Sequence, residues 1–228
     1  MARLVWHGHA CFTVESRDGR VILDPFLSGN PAADVGPDGI GRVDAVLVTH
    51  GHGDHFGDAL EIALAQGATV VAAFELAAWC QAQGATAHPM AIGGAHAFPF
   101  GWVKLVPAAH GSLFEKDPAF STNPAGILYR AEGKLLYHLG DTALTADLRL
   151  LGELHRFDVA LVPIGDNYTM GPEDALRAVE FLKPRLAVPM HYDTFEVIRQ
   201  DARAFARAVE AAGHARCAVL KPGDALEF

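Results

Sequence analysis

Cysteine is scarce and scattered in this chain: Cys11, Cys80 and Cys217 form no C-x-x-C pair, and three cannot all be paired within one molecule. That excludes a disulfide framework and is expected of a protein kept in a reducing compartment. Long apolar runs are also missing. The most apolar stretch, 68–80, is interrupted by Glu75, and the opening Met-Ala-Arg-Leu-Val-Trp-His-Gly-His lacks the apolar core of a secretion signal. Positive charge is in short supply: 18 Lys and Arg against 27 Asp and Glu leave a formal net charge of −9 with no basic run, which argues against a nucleic-acid backbone as the main partner. A soluble cytoplasmic protein is expected, with no membrane and no nucleic acid among its partners.

Histidine, by contrast, is concentrated at one place. From Asp44 the chain reads Asp-Ala-Val-Leu-Val-Thr-His-Gly-His-Gly-Asp-His, a short β-type run followed within six residues by His50, His52, Asp54 and His55. Three imidazoles and a carboxylate are metal-ligand types, and Gly51 and Gly53 let the backbone bend tightly between them. Repulsion and desolvation make such crowding costly without a cation, so the stretch reads as a metal site.

This run resembles the His-x-His-x-Asp-His signature of the metallo-β-lactamase superfamily. That family also supplies a distant His, an Asp and a final His, each just past a strand; His110, Asp141 and His191 stand here in that order, so the resemblance covers nearly the whole chain. It implies an α/β fold, a four-layer αββα sandwich of two mixed sheets covered by helices, formed as one domain by residues 1–228. Half of the residues are hydrophobic, enough for such a core. The Gly165-to-Ala175 segment narrows the resemblance to bacterial and archaeal metal-dependent hydrolases related to the ascorbate-6-phosphate lactonase group, whose members form homo-oligomers.

In chain order, strands are predicted over 2–6, 11–15 and 20–24, the last two joined by the turn Ser16-Arg17-Asp18-Gly19. His7 and His9 flank Gly8 between the first two strands and read either as exposed hairpin residues or, for His9, as a group at the substrate. Asp24 ends a strand and resembles the family's first motif, an Asp that orients the metal loop through hydrogen bonds. Residues 25–42 form a long loop expected to cover the site. A helix over 56–66 stopped by Gly67, a strand over 69–72, a helix near 75–83 and an irregular stretch holding His88 and His96, neither proposed as a ligand, lead to the strand 102–106 before His110. Loop 111–125, with Phe114 and Phe120, is expected to shape a substrate pocket. A hairpin over 127–130 and 134–139 delivers Asp141, with His138 as its nearest competitor for a ligand role. After the strand 157–163, Asp166 and Asn167 either touch substrate or shape the turn before a helix opened by Pro172. The strand 186–190 delivers His191, a long helix runs from Phe195 to Ala212 before Gly213, and a strand over 218–220 and a short edge segment close the chain.

Carried over by the resemblance, one metal ion takes His50, His52 and His110, a second takes Asp54, His55 and His191, and Asp141 bridges them. Asp54 and His9 are the residues expected to act on the substrate. The chemistry implied is hydrolysis of a small ester, lactone or phosphodiester by a metal-bridging hydroxide. Nitrogen and oxygen ligands accommodate zinc first, and manganese, iron or nickel as well. A ligand cysteine, as in a true β-lactamase, is missing. The alternative is a di-iron redox or oxygen-dependent protein, or a metal-binding module without turnover; flavodiiron proteins resemble the motif but carry Glu where this chain has His52, and glyoxalase-type thioesterases append a helical domain where only 37 residues follow His191.

Overall fold

The computed structural model describes residues 1–228. Strands β1 (Arg3–Trp6), β2 (Phe12–Glu15) and β3 (Arg20–Leu23) form the antiparallel meander expected from the turn residues between them. The chain then adds β4 (Ala45–Leu47), β5 (Thr69–Ala73) and β6 (Ala87–Met90) side by side in parallel. A second sheet repeats the plan. Its β7 (Ala95–Phe98), β8 (Gly101–Pro107), β9 (Ala125–Ala131) and β10 (Lys134–His138) run antiparallel, and β11 (Val159–Pro163), β12 (Leu186–Met190) and β13 (Arg216–Cys217) follow in parallel. The last strand, β14 (Ala225–Glu227), returns to the first sheet beside β1.

Period-two alternation explains the layers. Val21, Leu23, Ala45, Leu47 and Val71 point into the core between the sheets, while Ile22, Val46, Val48, Val70 and Ala72 point outward onto Ile62, Ala63, Leu76 and Ala77. These four belong to α2 (Ala59–Gln66) and α3 (Phe74–Ala82), which cover the first sheet; a single-turn α1 (Gly53–Phe56) precedes them. On the second sheet lie α4 (Ala146–Leu154), α5 (Pro172–Leu182) and α6 (Ala202–Ala212). Both sheets are mixed and buried between helices, the expected four-layer sandwich. Full burial of each Val, Leu or Ile in such a core contributes about 1.5–3 kcal/mol, which holds the sheets face to face.

Four local expectations change. The helix expected over 56–66 starts at Ala59, because Gly57 takes φ 40° and a side chain there would collide with the Pro25 carbonyl. The stretch 87–98 is not irregular: it forms β6 and β7, edge strands of the two sheets, where Pro89 is tolerated. The strand expected over 218–220 ends earlier, at Cys217. Arg185 and Ala187 turn their carbonyls to that side, so the next group there is Pro189, which has no N–H to give. The long helix begins at Ala202 rather than Phe195, since Asp201 caps it by accepting the Ala204 N–H, and 196–198 forms a separate 3-10 turn.

Gly152 brings α4 onto α5, where an added methyl would collide with the Phe181 carbonyl. Overpacking against backbone lies at the upper end of about 1–3 kcal/mol, against a helix-propensity gain of about 1 kcal/mol. Gly152→Ala is therefore expected to lower stability by about 2 kcal/mol in urea unfolding; an unchanged midpoint would contradict this packing.

Candidate metal centre

The geometry of this centre begins with a group that is itself far from solvent. Asp24, fully buried at the end of β3, accepts hydrogen bonds through Oδ1 from the Thr49 N–H (2.8 Å), and through Oδ2 from the Thr49 hydroxyl (2.6 Å) and His55 Nδ1 (2.7 Å). The Thr49 oxygen, having given its proton to Asp24, accepts from His50 Nδ1 (3.0 Å). Both imidazoles are thereby held with Nδ1 protonated and Nε2 facing inward.

Opposite them, three other strands deliver His110, Asp141 and His191 just past β8, β10 and β12. His55 Nε2 lies 3.1 Å from Asp141 Oδ1, and Asp141 Oδ2 lies 3.1 Å from His191 Nε2 and 3.4 Å from His110 Nε2. His50 Nε2 faces His52 Nδ1 at 3.0 Å. Donor atoms gather in overlapping sets, His50 with His52 and His110, His50 with His55 and Asp141, and His9 with Asp54, His55 and His191, each within 4.8 Å. His55 Nε2, Asp141 Oδ1 and both His191 ring nitrogens are buried without a hydrogen-bond partner. Unpaired buried polar atoms are costly and native proteins avoid them. Three of them, His55 Nε2, Asp141 Oδ1 and His191 Nε2, meet at one point, and all are of metal-ligand type, which fits a cation in the cluster.

Electrostatics support that fit. Burial pushes His50 well below the usual imidazole range, so its ring is neutral and able to ligate. Burial acts in the same direction on His55, but the Asp141 and Asp24 carboxylates on either side override it and hold a proton there, one that a cation would displace. For Asp141 burial is outweighed by His191 and His55, which keep the carboxyl ionised. His9 is also fully buried, which excludes the exposed-hairpin reading. Its Nδ1 accepts from the Thr194 hydroxyl (2.8 Å) and its Nε2–H donates to Asp54 Oδ2 (3.2 Å), while burial and the neighbouring His191 bring its pKa down to about 4. Asp54 itself is raised by burial but more strongly lowered by the His9 hydrogen bond and His55; its side chain is 30% exposed, at the mouth of the cluster. His9, Asp24 and His191 all hold positive φ, at 53°, 43° and 55°, conformations unfavourable outside glycine.

The expected residues His50, His52, Asp54, His55, His110, Asp141, His191, Asp24 and His9 thus meet at one point. Asp166 and Asn167 stand apart from the gathered donor atoms, exposed on a left-handed turn where Asp166 Oδ1 accepts the Asn167 N–H. His138 is not free to ligate: Nδ1 accepts the Gly140 N–H (3.1 Å) and Nε2–H donates to the Ala10 carbonyl (2.8 Å), which fixes the turn carrying Asp141. Phe114 does not line a pocket but is buried against Phe56 and Trp79, anchoring loop 111–125 to the metal loop beside Gly51. Loop 25–42 meets His9 through Phe26, sets Ala32 against Gly8 and Asp34 against His7, and is pinned by Asp58, which accepts from the Leu27 and Ser28 N–H groups. A cavity of about 580 Å³ lies elsewhere, lined by Arg156, Lys183 and His214 beyond the C-terminal ends of α4, α5 and α6. Thr49, Thr194 and His138 carry roles that sequence reasoning missed; Thr49 alone had a signal, its place directly before the histidine run.

Residues 3–191 match the family model of the beta-lactamase superfamily domain. Within that class, the chain is 49% identical over 232 residues to a UPF0173 metal-dependent hydrolase of Heliobacterium modesticaldum, covering 99% of this chain and 97% of that one. It is 47% identical over 229 residues to a UPF0173 metal-dependent hydrolase of a Geobacillus species, covering 99% and 100%. Among solved structures, Igni18, a metallo hydrolase from the archaeon Ignicoccus hospitalis, superposes with a TM-score of 0.91 at 37% identity, covering 100% of this chain and 99% of that one. The chain belongs to the UPF0173 metal-dependent hydrolases of the β-lactamase superfamily. No helix is long and apolar enough to cross a membrane.

Asp24→Ala would strand three buried donors, those of Thr49 and His55. At about 1–3 kcal/mol per unsatisfied group, with partial relaxation, a loss of about 3 kcal/mol is expected in chemical unfolding; a variant as stable as the parent would refute the role given to Asp24.

Proposed function

We propose that the cluster binds two divalent metal ions, zinc first, and hydrolyses a small ester, lactone or phosphodiester. The observation that carries this reading is the set of buried, unpaired donor atoms on His55, Asp141 and His191, facing His50, His52 and His110. His50, His52 and His110 would hold one ion and Asp54, His55 and His191 the other, with Asp141 between the two sets. Bound there, divalent cations supply Lewis acidity and bring the pKa of a water down towards neutrality.

The remaining work falls to the chain. Asp54 is the donor carboxylate that reaches the surface, and its orientation is set by His9, which is fixed in turn by Thr194. An ionised Asp54 accepts a hydrogen bond from the attacking water and aligns it with the scissile centre. Because the His9 N–H is already given to Asp54, His9 acts by holding that carboxylate ionised and in place. His138 and the Gly140 turn keep Asp141 facing both donor sets. The redox and turnover-free alternatives gain no observation of their own beyond the shared fold.

Elemental analysis of chelator-free protein tests the reading. Two ions per chain are expected in the parent and one or fewer in Asp141→Ala, with hydrolysis lost; a parent that holds no ion, even after divalent ions are supplied, overturns the assignment. His138→Phe removes the acceptor for Gly140 while keeping an aromatic ring, and a 10–100-fold weaker metal affinity is expected by competition with a chromogenic chelator. Unchanged affinity would show that the turn holds Asp141 without His138.

A further inference from the structure

We infer that the substrate carries an apolar, aromatic-sized group that packs against Phe195 and Phe26 beside the His9–Asp54 end of the site; this rests on the hydrolytic reading above. The rings of Phe26 and Phe195 stand edge-on to His9, with centroids 5.7 and 5.6 Å away, and lie 6.5 Å from each other. His9 is the partner of Asp54, so this wall is one residue removed from the carboxylate at the mouth. Phe195 is 38% exposed and Val197, on the same rim, 59%.

Two further observations separate this surface from incidental exposure. The rim is rigid: the Asp193 N–H donates to the Ile198 carbonyl, the Gln200 N–H to Asp193 Oδ1, and the Gln200 side chain to the Gly165 carbonyl, while Ile198 is fully buried as an anchor. The backbone on either side of Phe195 is therefore pinned, and a preorganised aromatic face loses little entropy on binding. The ion pairs of the cluster are also all between its own histidines and carboxylates, with no lysine or arginine among them. Arg199, the cation of the rim, faces Glu196 instead (3.7 Å), and Lys116 lies over Phe56. A substrate with a second anionic group, such as a sugar phosphate, would find no side-chain counter-charge there, whereas an apolar substituent finds two aromatic faces.

The test uses pairs of substrates that differ only in a methyl or a benzyl substituent, one pair each of ester, lactone and phosphodiester, with metal-loaded full-length protein. For the class that is hydrolysed, kcat/KM of the benzyl member is expected to exceed that of the methyl member about tenfold. Phe195→Ala is expected to bring the ratio to about twofold through KM, and Phe195→Leu to retain an intermediate ratio, each with the parent's metal content by elemental analysis. Equal kcat/KM for both members in the parent, or a ratio that survives Phe195→Ala, overturns the inference alone. Loss of metal from Phe195→Ala also overturns it, since the ring would then support the cluster rather than the substrate. Turnover of no member of any class overturns the hydrolytic reading, and this inference with it.

Discussion

Asp24 is the hinge of the whole arrangement, although it has no solvent exposure of its own. Its two oxygens take three hydrogen bonds from Thr49 and His55, and through the Thr49 hydroxyl they also set His50. With both Nδ1 protons consumed behind the rings, the Nε2 atoms are left with nowhere to point but the cluster. A neutral imidazole has one donor and one acceptor nitrogen, so fixing the proton on one fixes the function of the other. A single buried carboxylate thereby turns two flexible side chains into preoriented donors.

The sandwich serves that arrangement by bringing strand ends from two sheets to one edge. Thr49 and His50 follow β4, while His110, Asp141 and His191 follow strands of the second sheet. Neither sheet alone carries a complete donor set. The inter-sheet core, with Leu4, Leu23 and Leu47 of one sheet against residues such as Leu105 and Ile127 of the other, is what holds the two halves within bonding distance. Backbone strain appears where they meet: His191 donates its N–H to the His9 carbonyl (3.0 Å), and both residues hold left-handed φ. Such conformations persist only where surrounding contacts outweigh their cost of about 1–3 kcal/mol each.

The centre also divides by environment. At one end His50 and His55 are fully buried and hydrogen-bonded from behind; at the other, Asp54 and His110 reach the surface at 30% and 16% exposure. Firmly held donors lie deep and accessible ones at the mouth, as expected for a site that must both retain ions and admit a substrate. Beside the mouth the rim adds the aromatic surface of Phe26 and Phe195.

Much of this was legible in the sequence. The His-Gly-His-Gly-Asp-His run is local, so spacing alone exposes it, and apolar runs ending in His110, Asp141 and His191 mark strand ends without any knowledge of packing. The sandwich and the pairing of those residues came from resemblance rather than periodicity. Other features were out of reach because their physical cause lies far along the chain: Thr194 meets His9 across 185 positions, and His138 reaches the Ala10 carbonyl across 128. The three- and four-residue spacing from Phe195 onward reads as one helix, and only the Asp201 cap and the bonds of Asp193 and Gln200 make it a rigid turn that displays Phe195 instead. Residue type and local order by themselves picked out the groups that gather in the cluster. Tertiary structure decided their protonation, orientation and exposure, because those depend on hydrogen-bond partners and burial that only the folded chain brings together.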